Sequence, residues 1–337
     1  MSSLEQGASN AFPESRIDAE YSAVRDCAGI ARLEDRILIR VVGSDRVAFM
    51  HGMCSQDVKS LAAGAVAPAL ILNERAHLIA DFFLYAEPDA LLIEIDRRLW
   101  LAARDHLERL LVADDVEFET LDETAVLDLE GPLSGRAAAA VAGAGVADLV
   151  EWQHVKADGL TIANLPRYGT HAYSIIAPRA IIGDLSARIL AAPDRPKASR
   201  VTPETLEIVR VENGRAAVGI DTNEKTIALE ARLEPAISFN KGCYVGQETI
   251  ERATARGGIR KKLYGLGIAG NRLPASGAAV IFEEKEVGRL TSVVRSPRFG
   301  AIGLAIIHQQ AWTAGATVAL HADNGEFSAT VSDLPFQ

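Results

Sequence analysis

Residues 241–248 read Lys-Gly-Cys-Tyr-Val-Gly-Gln-Glu, and this stretch holds one of only three cysteines in the chain. Thiolate is the reactive form of cysteine, and a nearby cation lowers the thiol pKa. Lys241 stands two residues before Cys243. Gly242 and Gly246 supply backbone that can turn sharply or lie against a ligand. The pattern fits an accessible, activated sulfur. It also fits a cysteine that acts as a small buried hydrophobe, and residue types alone leave both readings open.

Two carboxylates and a basic run are the other candidates. Asp81 lies in a mostly apolar stretch, residues 78–85. A two-residue period can turn it inward, where a carboxyl needs a partner or a shifted pKa; the alternative is an outward-facing aspartate. Glu212 ends a helical segment ahead of Asn213-Gly214, which reads as a helix cap. Arg252, Arg256, Arg260, Lys261 and Lys262 concentrate positive charge just after Glu248. Such a run is either a solvated face or an anion site, since arginine forks suit carboxylates and phosphates. His51, His77 and His171 are isolated and lack metal-ligand spacing, so no metal site is expected. Residues 265–270 match G-x-G-x-x-G. A dinucleotide loop must open a helix, yet Asn271-Arg272-Leu273-Pro274 follows, so these glycines read as a barrel strand and its turn.

The elements that must position these residues follow from periodicity. Strands are expected at 37–42, 67–72, 78–85, 91–95, 116–121, 125–129, 161–165 and 173–176. Helices are expected from about 45 to 50, over 98–111, 136–150 with a break at 143–145, 181–190, and from Pro203 to about 212. Residues 191–199 read as a loop, and 1–20 as a polar, frayed tail. Past residue 260 the texture changes to short strands with turn residues between them, an all-β module. The expected organisation is a tail, 1–20; an α+β region, 21–260; and a β-barrel, 261–337.

With 337 residues, the chain is long enough for two or three domains, and 48% hydrophobic residues give ample core. A net charge of −10 argues against a general nucleic-acid binder. Three scattered cysteines with no Cys-x-x-Cys suit the reducing cytoplasm and cannot furnish the four thiolates of a resident iron–sulfur cluster. No apolar run is long enough to span a bilayer, and the first 20 residues have the wrong balance for a signal or transit peptide.

The Lys-Gly-Cys-Tyr-x-Gly-Gln-Glu stretch resembles the signature of the YgfZ family, folate-binding relatives of the glycine-cleavage T-protein associated with iron–sulfur protein maintenance. The likeness to the wider T-protein superfamily runs along nearly the whole chain: Gly43-Ser44-Asp45 to Asp57-Val58, Leu72-Asn73-Glu74 to Asp81 and Tyr85, Arg210-Val211-Glu212-x-Gly214, and Gly288-Arg289-Leu290-Thr291-Ser292 with Gly303-Leu304-Ala305. The resemblance implies an α+β fold of two mixed α/β units plus a C-terminal antiparallel barrel around a central folate cavity. It implies tetrahydrofolate or a one-carbon derivative as cofactor. Glu212 would hold the pterin, Lys241, Tyr244, Gln247, Arg252 and Arg256 would serve the cofactor region, and Cys243 would be the reactive thiol. Iron–sulfur proteins or their assembly factors, including tRNA-modifying enzymes, would be partners. T-proteins carry two adjacent aspartates where this chain has Ala80-Asp81, and a cysteine-free segment where it has Cys243. A folate-dependent aminomethyl- or methyltransferase using Asp81 is the alternative expectation.

Overall fold

The strand Leu78–Ala86 shows how this sequence aims its side chains. Leu78, Ala80, Phe82 and Leu84 are buried, whereas Ile79, Asp81 and Phe83 are only partly covered. Neighbouring residues of a strand point to opposite faces. Ala80, Phe82 and Leu84 enter an apolar core, and Asp81 is turned the other way.

The computed structural model describes residues 12–169, 171–192, 198–255 and 258–337. In chain order its main elements are α1 (Phe12–Asp26), β1 (Ala28–Leu33), β2 (Arg36–Val42), α2 (Arg46–Met53), β3 (Val66–Leu72), β4 (Leu78–Ala86), β5 (Leu91–Asp96), α3 (Arg97–Leu110), β6 (Glu117–Thr120), β7 (Thr124–Glu130) and α4 (Ser134–Ala142). There follow β8 (Gln153–Ala157), β9 (Leu160–Asn164), β10 (Ala172–Pro178), α5 (Ile182–Leu190), β11 (Ala198–Arg200), α6 (Pro203–Glu212) and α7 (Gln247–Ala255). The last strands are β12 (Lys261–Ile268), β13 (Ala279–Phe282), β14 (Lys285–Ser296), β15 (Gly300–His308), β16 (Thr317–Ala322) and β17 (Gly325–Ser332).

These elements make two α/β modules and a barrel. One module is a five-stranded antiparallel sheet in the order β3-β4-β5-β2-β6. Helix α3 packs on it through Trp100, Ala103 and Leu107, and Asp96 caps that helix by accepting from the Arg98 amide. The second is a six-stranded sheet, β11-β1-β7-β10-β9-β8, in which only β1 and β11 run parallel. The third closes as β12-β15-β14-β13-β16-β17, all antiparallel, with no free edge left to recruit another chain. The α+β class, the paired strands around residues 73–76 and the barrel placement of Gly265 and Gly267 are as the sequence predicts.

Other elements differ from the sequence reading. The N-terminal segment is not frayed throughout: from Phe12 it is helix, and Tyr21, Ala23 and Val24 are buried. Glu20 of α1 holds the start of α6, since its carboxylate accepts from the Thr202 amide at 2.8 Å and the Thr202 and Thr205 hydroxyls at 2.7 Å. Residues 198–200 of the expected loop add a parallel strand beside β1. Strands β1, β8 and β17 are additional, as is helix α7 immediately after the cysteine loop. Among the described residues no helix is long and apolar enough to cross a membrane.

Candidate functional site

Between the modules lies a cavity of two adjoining lobes, about 430 and 760 Å³. Asp81, Phe83, Arg167, Arg215 and Ala216 line both. Strand β4 thus delivers Asp81 to the junction, because the same alternation that buries Ala80 on the core face turns its neighbour toward the cavity. Burial pushes the Asp81 carboxyl above the ordinary aspartate range, against the pull of Arg36 and Arg167. An aspartate at position 80 would enter the apolar core, so the single carboxylate here agrees with the packing.

Beneath Asp81 the wall is a buried ionic network. Arg167 donates to Glu94 at 2.6 Å and to Asp128 at 3.3 Å, and its guanidinium lies 5.0 Å from the Phe83 ring centre. Glu94 also accepts from Arg36 at 3.2 Å and from the Tyr85 hydroxyl at 2.7 Å. Burial raises the Glu94 carboxyl, yet Arg167 and Arg36 together hold it below the usual range. Burial pushes Asp128 up to about 6 despite Arg167.

The cavity is rich in arginine, which the sequence reading missed because each residue stands alone in the chain. Arg98 pairs with Asp96 at 2.6 Å, and Arg210 with Glu207 and Asp221, each at 2.6 Å. Arg215 and Arg232 line the larger lobe with no carboxylate in ion-pair reach among the described residues. Arg232 donates to the Leu263 carbonyl at 2.7 Å and lies over the Tyr264 ring.

Of the sequence candidates among the described residues, Asp81 alone lines this cavity. Glu212 is buried at the end of α6, where Tyr21 (3.0 Å), Arg25 and Ser296 all donate to its carboxylate. It ties α1, α6 and the barrel together, and it is not among the residues that line either lobe. Its neighbours Asn213, Gly214 and Arg215 line the cavity instead.

The Lys-Gly-Cys-Tyr stretch is a clasp. The Lys241 ammonium is buried and donates to the carbonyls of His51, Cys54 (2.8 Å) and Gln56 (2.9 Å), with the Tyr244 ring 4.9 Å away. This corrects the expectation that Lys241 activates Cys243: its charge is engaged at the end of α2, and burial pulls its own pKa down. Tyr244 is buried and pushed up to about 12 by that burial. Gln247 folds back, accepting from the Tyr244 amide at 3.2 Å and donating to Glu251 at 2.7 Å. Gly246 has φ +86°, and a Cβ there would meet the Asn73 carbonyl at 2.7 Å. The clasp leaves Cys243 exposed. Arg252 is exposed and paired with Glu248 along α7, so it meets no cavity wall. Arg256 lies outside the described residues. Cys54 is buried, and that burial pushes its thiol up to about 11.

Comparison with known proteins agrees with this architecture. Residues 7–241 match the GCVT N-terminal domain, and residues 261–337 match the glycine cleavage T-protein C-terminal barrel domain. The chain belongs to the glycine cleavage T-protein family, whose cofactor is tetrahydrofolate. It is 28% identical over 308 residues to a protein of Arabidopsis thaliana named as a candidate transferase of the chloroplast, covering 88% of this chain and 68% of that protein. It is 27% identical over 298 residues to the aminomethyltransferase of Rubrobacter xylanophilus, covering 86% and 79%. The aminomethyltransferase T structure from Bartonella henselae superposes with a TM-score of 0.86 over 95% of this chain and 89% of that one, at 21% identity, which shows the shared fold.

Proposed function

We propose that this chain binds tetrahydrofolate or a one-carbon derivative in the two-lobed cavity and acts in the cytoplasm as a folate-dependent aminomethyl- or methyltransferase. The placement of Asp81 at the junction of the lobes carries this reading. The lining suits the cofactor. Its volume is that of small-molecule sites, Phe83 and Trp152 offer flat apolar surface, and Arg215 and Arg232 offer charge for a carboxylate tail. Bound folate would supply a one-carbon unit carried on nitrogen. Asp81, whose proton is held more tightly than that of a free aspartate, would give or take a proton at such a nitrogen. Arg36 and Arg167 would keep the carboxylate form accessible.

The test is a tetrahydrofolate titration followed by turnover of methylated and aminomethylated amines. Wild type is expected to bind and to form a folate-dependent product, and Asp81→Asn to bind but lose roughly 10²–10⁴-fold in turnover. Binding without any product across the substrate screen rejects the transferase reading.

One observation favours a second reading, a YgfZ-like role in assembling or repairing iron–sulfur enzymes, including tRNA-modifying ones. The clasp built around Lys241 and Gly246 holds an exposed Cys243 away from the cavity, as a thiol offered to another protein would be. Cells lacking their own YgfZ-type protein would carry this chain or Cys243→Ala at equal soluble levels. Rescue of a tRNA-methylthiolating enzyme by the first alone supports the reading; equal rescue, or none, rejects it.

A further inference from the structure

On the outer face of the barrel, a groove of about 690 Å³ runs between strands β12, β14 and β15 and the segment 221–230. It shares no lining residue with either lobe of the central cavity. Lys225, Arg260, Lys261, Lys285, Arg289 and His308 line it, in a chain of net charge −10.

Its acids do not balance these cations. Asp221 is buried and engaged by Arg210 at 2.6 Å and by Ser292 at 2.7 Å. Glu286 pairs with Arg289 at 3.2 Å. Burial raises the Glu230 carboxyl, which accepts from the Ile227 amide at 3.1 Å and feels the charge of Lys261 only from beyond ion-pair distance. Among the described residues, no carboxylate reaches ion-pair distance of Lys225, Arg260, Lys261 or Lys285. The barrel's register sets Lys261 directly opposite His308 across β12 and β15, and both line the groove. His308 Nδ1 accepts from the Gln310 amide at 3.4 Å, which leaves Nε2 for an outside partner.

We infer that this groove is a second binding site, for a compact polyanion carrying two or more phosphate or carboxylate groups. Lysine and arginine donors bind both chemistries through charge-assisted hydrogen bonds, and the volume admits a small molecule rather than a single ion. Lys225, Arg260, Lys261 and Lys285, which no carboxylate engages at ion-pair distance among the described residues, would meet its charges.

The test is calorimetric titration of the full chain with sodium tripolyphosphate and, separately, with a tri-glutamate peptide, at low and high ionic strength. The groove variant is Lys261→Gln/Lys285→Gln. The control, Lys59→Gln/Arg188→Gln, removes the same charge at exposed positions outside the groove. At least one probe is expected to bind with salt-sensitive affinity, roughly tenfold weaker in the groove variant and changed by less than about twofold in the control. Phosphate-only or carboxylate-only binding identifies the natural class. No binding of either probe, or equal weakening in the groove and control variants, overturns the inference. All four substituted side chains are exposed, and thermal melts of each variant separate lost binding from lost folding.

Discussion

Replacing Lys241 by Met keeps the length and apolar stem of the side chain but removes an ammonium that three carbonyls, of His51, Cys54 and Gln56, accept from. Hydrogen bonds to a charged group contribute about 1.5–3 kcal/mol each. They do not add in full here, because burial already opposes the charge, as the depressed Lys241 pKa shows. Met also still packs on Tyr244. The net loss comes to about 3 kcal/mol, and at roughly 2 °C per kcal/mol for a large domain the melting temperature falls by roughly 6 °C. The assay pairs thermal unfolding with amide hydrogen exchange across residues 51–56 and 241–247, and with the alkylation rate of native Cys243. Both segments lose protection together if Lys241 is an anchor. An unchanged melting temperature together with markedly slower Cys243 alkylation would refute this account and return Lys241 to the role of the thiol's activating cation.

Three further outcomes follow from the geometry. Gly246→Ala is expected to destabilise by about 1–3 kcal/mol, measured by denaturant unfolding, since φ is +86° and the Asn73 carbonyl occupies the place of a Cβ. A thiol reagent applied to native protein should label Cys243 and spare Cys54, and labelling of Cys54 at a comparable rate would contradict its complete burial. Asp128 binds its proton more tightly when folded, up to about 6, than when unfolded near 3.8, so its contribution to stability is present at low pH and is lost as pH rises through that window. The stability of wild type relative to Asp128→Asn should therefore fall between about pH 4 and 6, and a flat difference would show that Asp128 is ionised throughout.

Periodicity carried much of the architecture. The alternation around Asp81 and the amphipathic spacing of α3 are local properties, and the Gly-punctuated strands after residue 260 could only be a β module. Elements whose burial comes from elsewhere in the chain were silent. Helix α1 is polar in sequence, yet Tyr21 and Arg25 meet Glu212 across 191 and 187 positions. Residues 198–200 are a strand because β1 lies beside them, a fact invisible in three residues. The site was legible at Asp81, where a carboxylate interrupts an apolar strand. It was illegible at Arg36, Arg167, Arg215 and Arg232, which converge only after folding. The motif around Cys243 stood out in sequence, but its strongest residues, Lys241 and Gly246, fasten a loop, and the thiol they present faces outward.

The junction at Glu212 also links the cavity to the segment that follows the barrel's last strand. Its carboxylate accepts from Ser296, its carbonyl accepts from the Phe336 amide at 2.9 Å, and Leu334 and Pro335 form part of the larger lobe. A ribosome that has released both α/β modules has still not delivered Leu334 and Pro335, which complete the wall of the larger lobe. The smaller lobe, lined by residues 31–220 alone, needs nothing from the barrel, so only the larger lobe depends on that last segment for its wall.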